Sequence, residues 1–298
     1  MRKVLTRFWC VICVSSVALA GMPAADAAVR TPVLRSGAQI YQNSYDEFAS
    51  AIVIDENSGK RLYAYLPDRP WPMASLTKLT NALVLLDRKP DWSKTVEFSN
   101  ADAVGGGMLT VQSGTKITIN DLFFSSIVAS ANNAAMALAR TSGIGVSAFV
   151  QKMNEKAASL GLTKTVFYDP VGLDARNVTT AAEMAVIADK AFSTYAIRRA
   201  ATTMSYKFSV ADPVMHKTIT NTDRLLTVDP DMYVLGGKTG FIYESRYNFV
   251  VKMRPMRPTA DTPPLLVVVM GAPTYSGSFA SAKALAQWAW KSYRWTSP

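Results

Sequence analysis

Apolar positions along the chain change period twice, from strand-like to helical and back. Residues 51–54 and 61–65 read as two short strands around Asp55-Glu56-Asn57-Ser58-Gly59-Lys60, a turn-forming set, and predict an antiparallel hairpin. From Ser75 to about Arg88, Leu76, Leu79, Leu83 and Leu86 recur at spacings of three and four, which predicts a helix with Ser75 at its entrance. Residues 99–118 are turn-rich. Their Gly105-Gly106-Gly107 run lacks the Gly-Lys-Ser/Thr ending of a phosphate loop and reads as a tight irregular turn. Asn120 is placed to cap the next helix, 122–129, and Asp121 in its first turn suits the helix dipole. That helix is apolar nearly all round and is expected to be buried.

Ser130-Ala131-Asn132 interrupts the apolar run, and residues 134–140 and 149–160 read as further helices, the second ended by Gly161. Residues 162–178 are mostly loop, and Thr180 is placed to cap a helix over 181–192. Beyond that the period returns to that of strands. Residues 234–239, 247–253 and 265–270 are rich in β-branched and apolar side chains and are separated by turn or proline segments. A last helix over 279–293 carries Trp288, Trp290, Tyr293 and Trp295 near its end; packing against the sheet is favoured over lying on a membrane. Strands from both ends of the chain with helices between them predict an α+β fold: an antiparallel sheet with helices on both faces and a helical subdomain inserted over about 90–200.

The first 27 residues stand apart. Arg2, Lys3 and Arg7 precede an apolar run, and Ala25-Asp26-Ala27 closes it, the pattern of a cleaved secretory signal peptide. The run is too short for a comfortable membrane span. Residues 28–298 are then one catalytic domain that reaches a secreted or periplasmic location. Both cysteines, Cys10 and Cys13, leave with the signal, so the processed chain has no thiol for a disulfide, a metal site or nucleophilic attack. The formal charge of +10 falls by two on processing, since three basic residues and Asp26 are removed. Such a basic exported protein suits an anionic polymer. Its basic residues form no tract with interleaved aromatics, which argues against nucleic acid.

The chain has one histidine, His216, and no Gly-x-Ser-x-Gly, so a Ser-His-Asp triad is poorly supported and His216 reads as structural. One histidine and no thiol also leave no zinc site, and no cofactor is expected. A serine nucleophile without histidine needs another base. A lysine whose pKa is lowered by positive charge and desolvation can serve. Ser75-Leu76-Thr77-Lys78 meets that need, because residues three apart share a helix face. Ser130-Ala131-Asn132 adds a hydroxyl suited to passing a proton and an amide that can hold a carbonyl or Lys78. Lys238-Thr239-Gly240 falls at the end of a predicted strand, where a cation and a hydroxyl can take a terminal carboxylate and Gly240 leaves room for close backbone approach.

Each of these motifs is weak alone, but the three in this order resemble the signatures of the penicillin-recognising serine peptidases. The chain is similar to the low-molecular-weight D-alanyl-D-alanine carboxypeptidases and endopeptidases over roughly 51–293, including Asp169-Pro170-Val171-Gly172-Leu173-Asp174. The resemblance implies Ser75 as the acylated nucleophile, Lys78 as its proton acceptor, Ser130 as proton relay and Asn132 as a positioning amide. It implies Lys238 and Thr239 as the carboxylate contact, and the backbone N–H groups of Ser75 and Phe241 as an oxyanion hole. Phe241 departs from the histidine that several carboxypeptidases carry, and the sequence stopping at Pro298 is closer to the endopeptidase branch.

Expected partners are peptidoglycan stem peptides and, as covalent inhibitors, β-lactams, with little or no membrane association. Two rivals share the motifs: a β-lactamase, and a catalytically idle wall-binding protein of the same fold. Residues 162–182 contain no glutamate of the kind a class A β-lactamase uses to activate water, and every motif residue is present.

Overall fold

A computed structural model of the protein describes residues 29–43, 46–211 and 214–297; the expected signal segment at 1–27 lies outside the described residues. The chain opens with β1 (Thr31–Leu34), then the hairpin β2 (Ser50–Asp55) and β3 (Arg61–Tyr65), and the two-residue β4 (Trp71–Pro72). A 3-10 turn at Ala74–Leu76 leads into α1 (Thr77–Asp87), followed by β5 (Thr95–Glu97) and β6 (Lys116–Thr118). The helices α2 (Ile119–Val128), α3 (Asn132–Arg140) and α4 (Gly145–Ser159) come next, then β7 (Val178–Thr179), α5 (Ala181–Ser193) and α6 (Tyr195–Ala201). A long hairpin, β8 (Ser205–Ala211) with β9 (Val214–Thr220), and the single-turn α7 (Arg224–Thr227) complete this middle region. The chain then returns to the sheet with β10 (Met232–Ile242), β11 (Arg246–Pro255) and β12 (Leu265–Ala272), and finishes with α8 (Tyr275–Ser292) and β13 (Tyr293–Thr296).

The main sheet has the order β10-β11-β12-β2-β3, all antiparallel, so both ends of the chain build it. All eight residues of β12, Leu-Leu-Val-Val-Val-Met-Gly-Ala, are buried, which requires a layer on each face. Alternation sorts them. Leu266, Val268 and Met270 join Ile52 and Val250 in a core shared with α1, α2 and α5. Leu265, Val267 and Val269 join Val53, Phe249 and Val251 against Phe279, Ala282 and Leu285 of α8. The α+β architecture read from the sequence is therefore the one observed.

Three local expectations need correction. The cap of α2 is Thr118, whose hydroxyl oxygen accepts from Asp121 N at 3.0 Å; Asn120 lies inside the helix and donates to Tyr206 Oη at 2.8 Å. The region read as turns at 99–118 ends in β6, which pairs with β5. The final helix stops at Ser292, and the next four residues form β13, paired with β1. The terminal aromatics pack on the protein: Trp295 is buried, and Trp288 and Trp290 donate to the carbonyls of Gln39 and Pro263. Among the described residues, no helix is long and apolar enough to cross a membrane.

Candidate active site

Ser75 stands in the 3-10 turn that feeds α1, held between two close backbone approaches. Ala74 has a φ of 49°, a left-handed conformation that costs a non-glycine residue about 1 kcal/mol or more. Gly172 (φ +91°) lies against it: a Cβ there would fall 2.0 Å from Ala74 O. On the other side, a Cβ on Gly240 of β10 would lie 3.0 Å from Met73 O and 3.2 Å from Ser75 N. Neither glycine can be replaced without shifting the turn that carries the serine.

Lys78, one helical turn on, is fully buried. Its Nζ donates to Ser75 Oγ at 2.7 Å, Asn132 Oδ1 at 2.6 Å and Val171 O at 2.7 Å. Three acceptors saturate an ammonium; a neutral amine keeps two and offers its lone pair to the Ser75 hydroxyl. Burial, and then the positive charge of Lys238, push the Lys78 pKa well below that of an ordinary lysine, with Asp169 opposing.

Ser130 joins α2 to α3 with a φ of 56°, another left-handed residue, and its Oγ accepts from Lys238 Nζ at 2.7 Å. Lys238 also donates to Thr239 O at 2.9 Å, and among the described residues a third N–H is left for a ligand. Lys238 is buried, and burial lowers its pKa to about 7 against the attraction of Asp223. Thr239 Oγ1 lies 2.6 Å from Thr222 Oγ1. Asn132, the first residue of α3, donates through Nδ2 to Gly105 O at 2.9 Å and through its backbone N to Gly107 O at 2.7 Å.

Ser75, Ser130, Asn132, Thr239, Gly240 and Phe241 line one cleft of about 380 Å³, and Lys78 and Lys238 reach it from below through the two serines. The structure thus brings every residue selected from the sequence to one place. A larger hollow of about 780 Å³ lies between α6 and the first half of β10 and holds none of these groups. Phe241 is 43% exposed and stacks on Tyr247 with ring centroids 4.4 Å apart, so its ring forms the cleft's rim. His216 is exposed on β9, bonded to Ser209 across the hairpin, and is not among the residues that line the cleft.

Some site groups escaped the sequence reading. The glycine run is a turn, as expected, but it also walls the cleft: a Cβ on Gly106 would meet Asn132 Nδ2 at 2.5 Å. Val171 acts through its carbonyl, which no side-chain motif announces. Asp169 shapes that loop by accepting from the backbone N of Val171, Gly172 and Asp174. Thr222, Asp223 and Tyr275 come from segments with no signal beyond a capping aspartate.

The family model described as D-alanyl-D-alanine carboxypeptidase matches residues 40–274. A D-alanyl-D-alanine endopeptidase of Pseudomonas aeruginosa is 32% identical over 241 residues, covering 80% of this chain and 76% of the relative. The Escherichia coli protein of the same description is 32% identical over 243 residues, with the same coverage. Among solved structures, a D-alanyl-D-alanine carboxypeptidase from Mycobacterium tuberculosis superposes with a TM-score of 0.72 at 29% identity, covering 87% of this chain and 95% of the other. Sequence and fold agree, and this chain belongs to the D-alanyl-D-alanine carboxypeptidase family of serine peptidases.

Proposed function

We propose that the protein is an exported serine DD-peptidase that cleaves the bond after a D-alanine in peptidoglycan stem peptides by acylating Ser75. The observation that carries this reading is the fully buried Lys78, hydrogen-bonded to Ser75 Oγ at 2.7 Å and held against protonation by burial and Lys238. A neutral Lys78 takes the Ser75 proton as Oγ attacks the carbonyl, while the backbone N–H groups of Ser75 and Phe241 receive the developing oxyanion. Ser130, bonded to Lys238, hands a proton to the leaving amine. The substrate carboxylate takes the unused N–H of Lys238 and the hydroxyl of Thr239. Water then releases the acyl group.

The released amine sets the choice of substrate. The relatives named endopeptidases favour a cross-link between stems, and the family description favours a terminal D-alanine. Incubation with a cross-linked stem dimer and with a free pentapeptide stem separates the two by the product formed. Export is supported by the basic, apolar and Ala25-Asp26-Ala27 pattern of the first 27 residues, and N-terminal sequencing of secreted protein tests it.

Slow release of β-lactams is supported by the engagement of nearby carboxylates. Glu183 accepts from the backbone of Thr163 and Lys164 and from the Thr165 hydroxyl, Asp169 is tied to its own loop, and Asp174 pairs with Arg176. Intact mass after incubation with a penicillin, followed over time, is the test. A persistent one-drug adduct absent from Ser75→Ala is expected; rapid turnover of the drug would favour a β-lactamase instead, and no adduct would revive an idle wall-binding protein.

A further inference from the structure

Asp223 is a fully buried carboxylate that the reaction just described does not use. It caps α7: one oxygen, Oδ1, accepts from Leu225 N at 2.8 Å and Leu226 N at 3.2 Å. A cap requires no more than that, and asparagine or serine performs it about as well. The other oxygen, Oδ2, is buried with no hydrogen-bond partner among the described residues. Burying a charge with half its acceptor capacity unused is costly unless an opposite charge compensates.

The position of Oδ2 identifies the compensating charge. It occupies the space where a side chain on Gly237 would go: a Cβ there would lie 2.0 Å from it. Gly237 immediately precedes Lys238. Thr222, next to Asp223, bonds the hydroxyl of Thr239 on the other side of the same lysine. Two consecutive residues of the loop before α7 therefore meet the two strand neighbours of Lys238. Strand alternation turns Gly237 and Thr239 to one face of β10 and the lysine to the other. The carboxylate thus lies beneath the strand that delivers the cation. Attraction acts both ways, raising the lysine's pKa and lowering that of Asp223 against their common burial.

The other groups facing the pair are few. Lys78 on α1 feels the Lys238 charge, and Tyr275 at the start of α8 feels both Arg224 and Asp223. On α6, Arg198 turns to the Phe192 carbonyl and Arg199 to the Phe124 ring.

We propose that Asp223 is a positioning residue: the buried counter-charge that keeps Lys238 an ammonium ion, and so sets the alkaline limit of acylation. This rests on Lys238 being the carboxylate anchor. Asp223→Asn preserves shape and cap but removes the charge, and Asp223→Ser preserves the cap in a smaller side chain. The measurement is the second-order rate of acylation by a fluorescent penicillin, which carries the carboxylate that Lys238 would hold, between pH 6 and 10, with thermal unfolding of each variant alongside. Without the carboxylate Lys238 loses its proton sooner. The alkaline limb should therefore move to lower pH by about one unit or more in both variants. A role confined to capping would leave the limb in place. If the wild type is acylated and a folded variant keeps the wild-type limb, the proposal is overturned. If neither variant folds, the carboxylate is architectural and the proposal is likewise overturned. Failure of the wild type to acylate at all would instead overturn the assignment of Ser75 and Lys238 on which the proposal rests.

Discussion

Two lysines with opposite protonation requirements share one small cleft. Lys78 must be neutral to take a proton, so acylation should rise with pH through its lowered pKa; Lys238 must be charged, so acylation should fall as pH climbs through its own. A bell-shaped rate profile is the expected outcome, and a single rising limb would show that Lys238 does not titrate in the reaction. Lys78→Arg keeps charge and length but cannot act as a base. It should fold, as circular dichroism would show, and lose acylation by about 10²–10⁴. Retained acylation would remove Lys78 from that role.

The same lysines carry a stability sign. Both have folded pKa values below the ordinary lysine value, so their contribution is present above that value and is lost as pH falls through the folded one. The thermal midpoint should therefore drop between pH 9 and 7. Lys238→Met should flatten the drop while abolishing acylation. The roles of these residues were legible in the sequence because each motif places its own donor, whereas Asp223 and Val171 were not: one looks like any helix cap, and the other contributes only a carbonyl.

At the level of elements, the site depends on the 3-10 turn being gripped by loops distant in sequence. Gly172→Ala would put a methyl group onto Ala74 O and force an L side chain into the left-handed region. A stability loss above about 1 kcal/mol and at least a tenfold slower acylation are expected, measured by thermal melting and by the penicillin rate. A folded variant acylated at the wild-type rate would show that this grip does not position the serine.

The helices and the three C-terminal strands were readable because their periods persist for many residues. The exceptions are short or depend on remote partners. In β8, Tyr206, Phe208 and Val210 alternate as a strand should, yet their partners are β9 and the helices, not the main sheet. The strands β1 and β13 are four residues each, and Pro32 in one and Arg294 in the other lower their strand propensity. Thr118 and Asn120 are both capping residues, and local sequence did not decide between them. The contact between Asn120 and Tyr206 did, across 86 residues of chain.

On the scale of the whole molecule, the sheet is assembled from segments that lie far apart in sequence, since β2 pairs with β12 and β1 with β13. Everything between β3 and β10 is an excursion from that sheet. The excursion supplies both serines, Lys78 and Asn132, while the sheet supplies Lys238 and Thr239. The cleft is the seam between them, and it is the place where a substrate can be gripped from both sides.

The pairing of β1 with β13, from Thr31 opposite Thr296 to Leu34 opposite Tyr293, has a topological consequence. The path of the backbone is nearly a closed ring, with its first and last strands already zipped together. A short linker could join them covalently, and new termini could be opened in the exposed Asn57–Gly59 stretch between β2 and β3. Such a circular permutant should fold and still be acylated at Ser75, because the order of connection is incidental to the cleft.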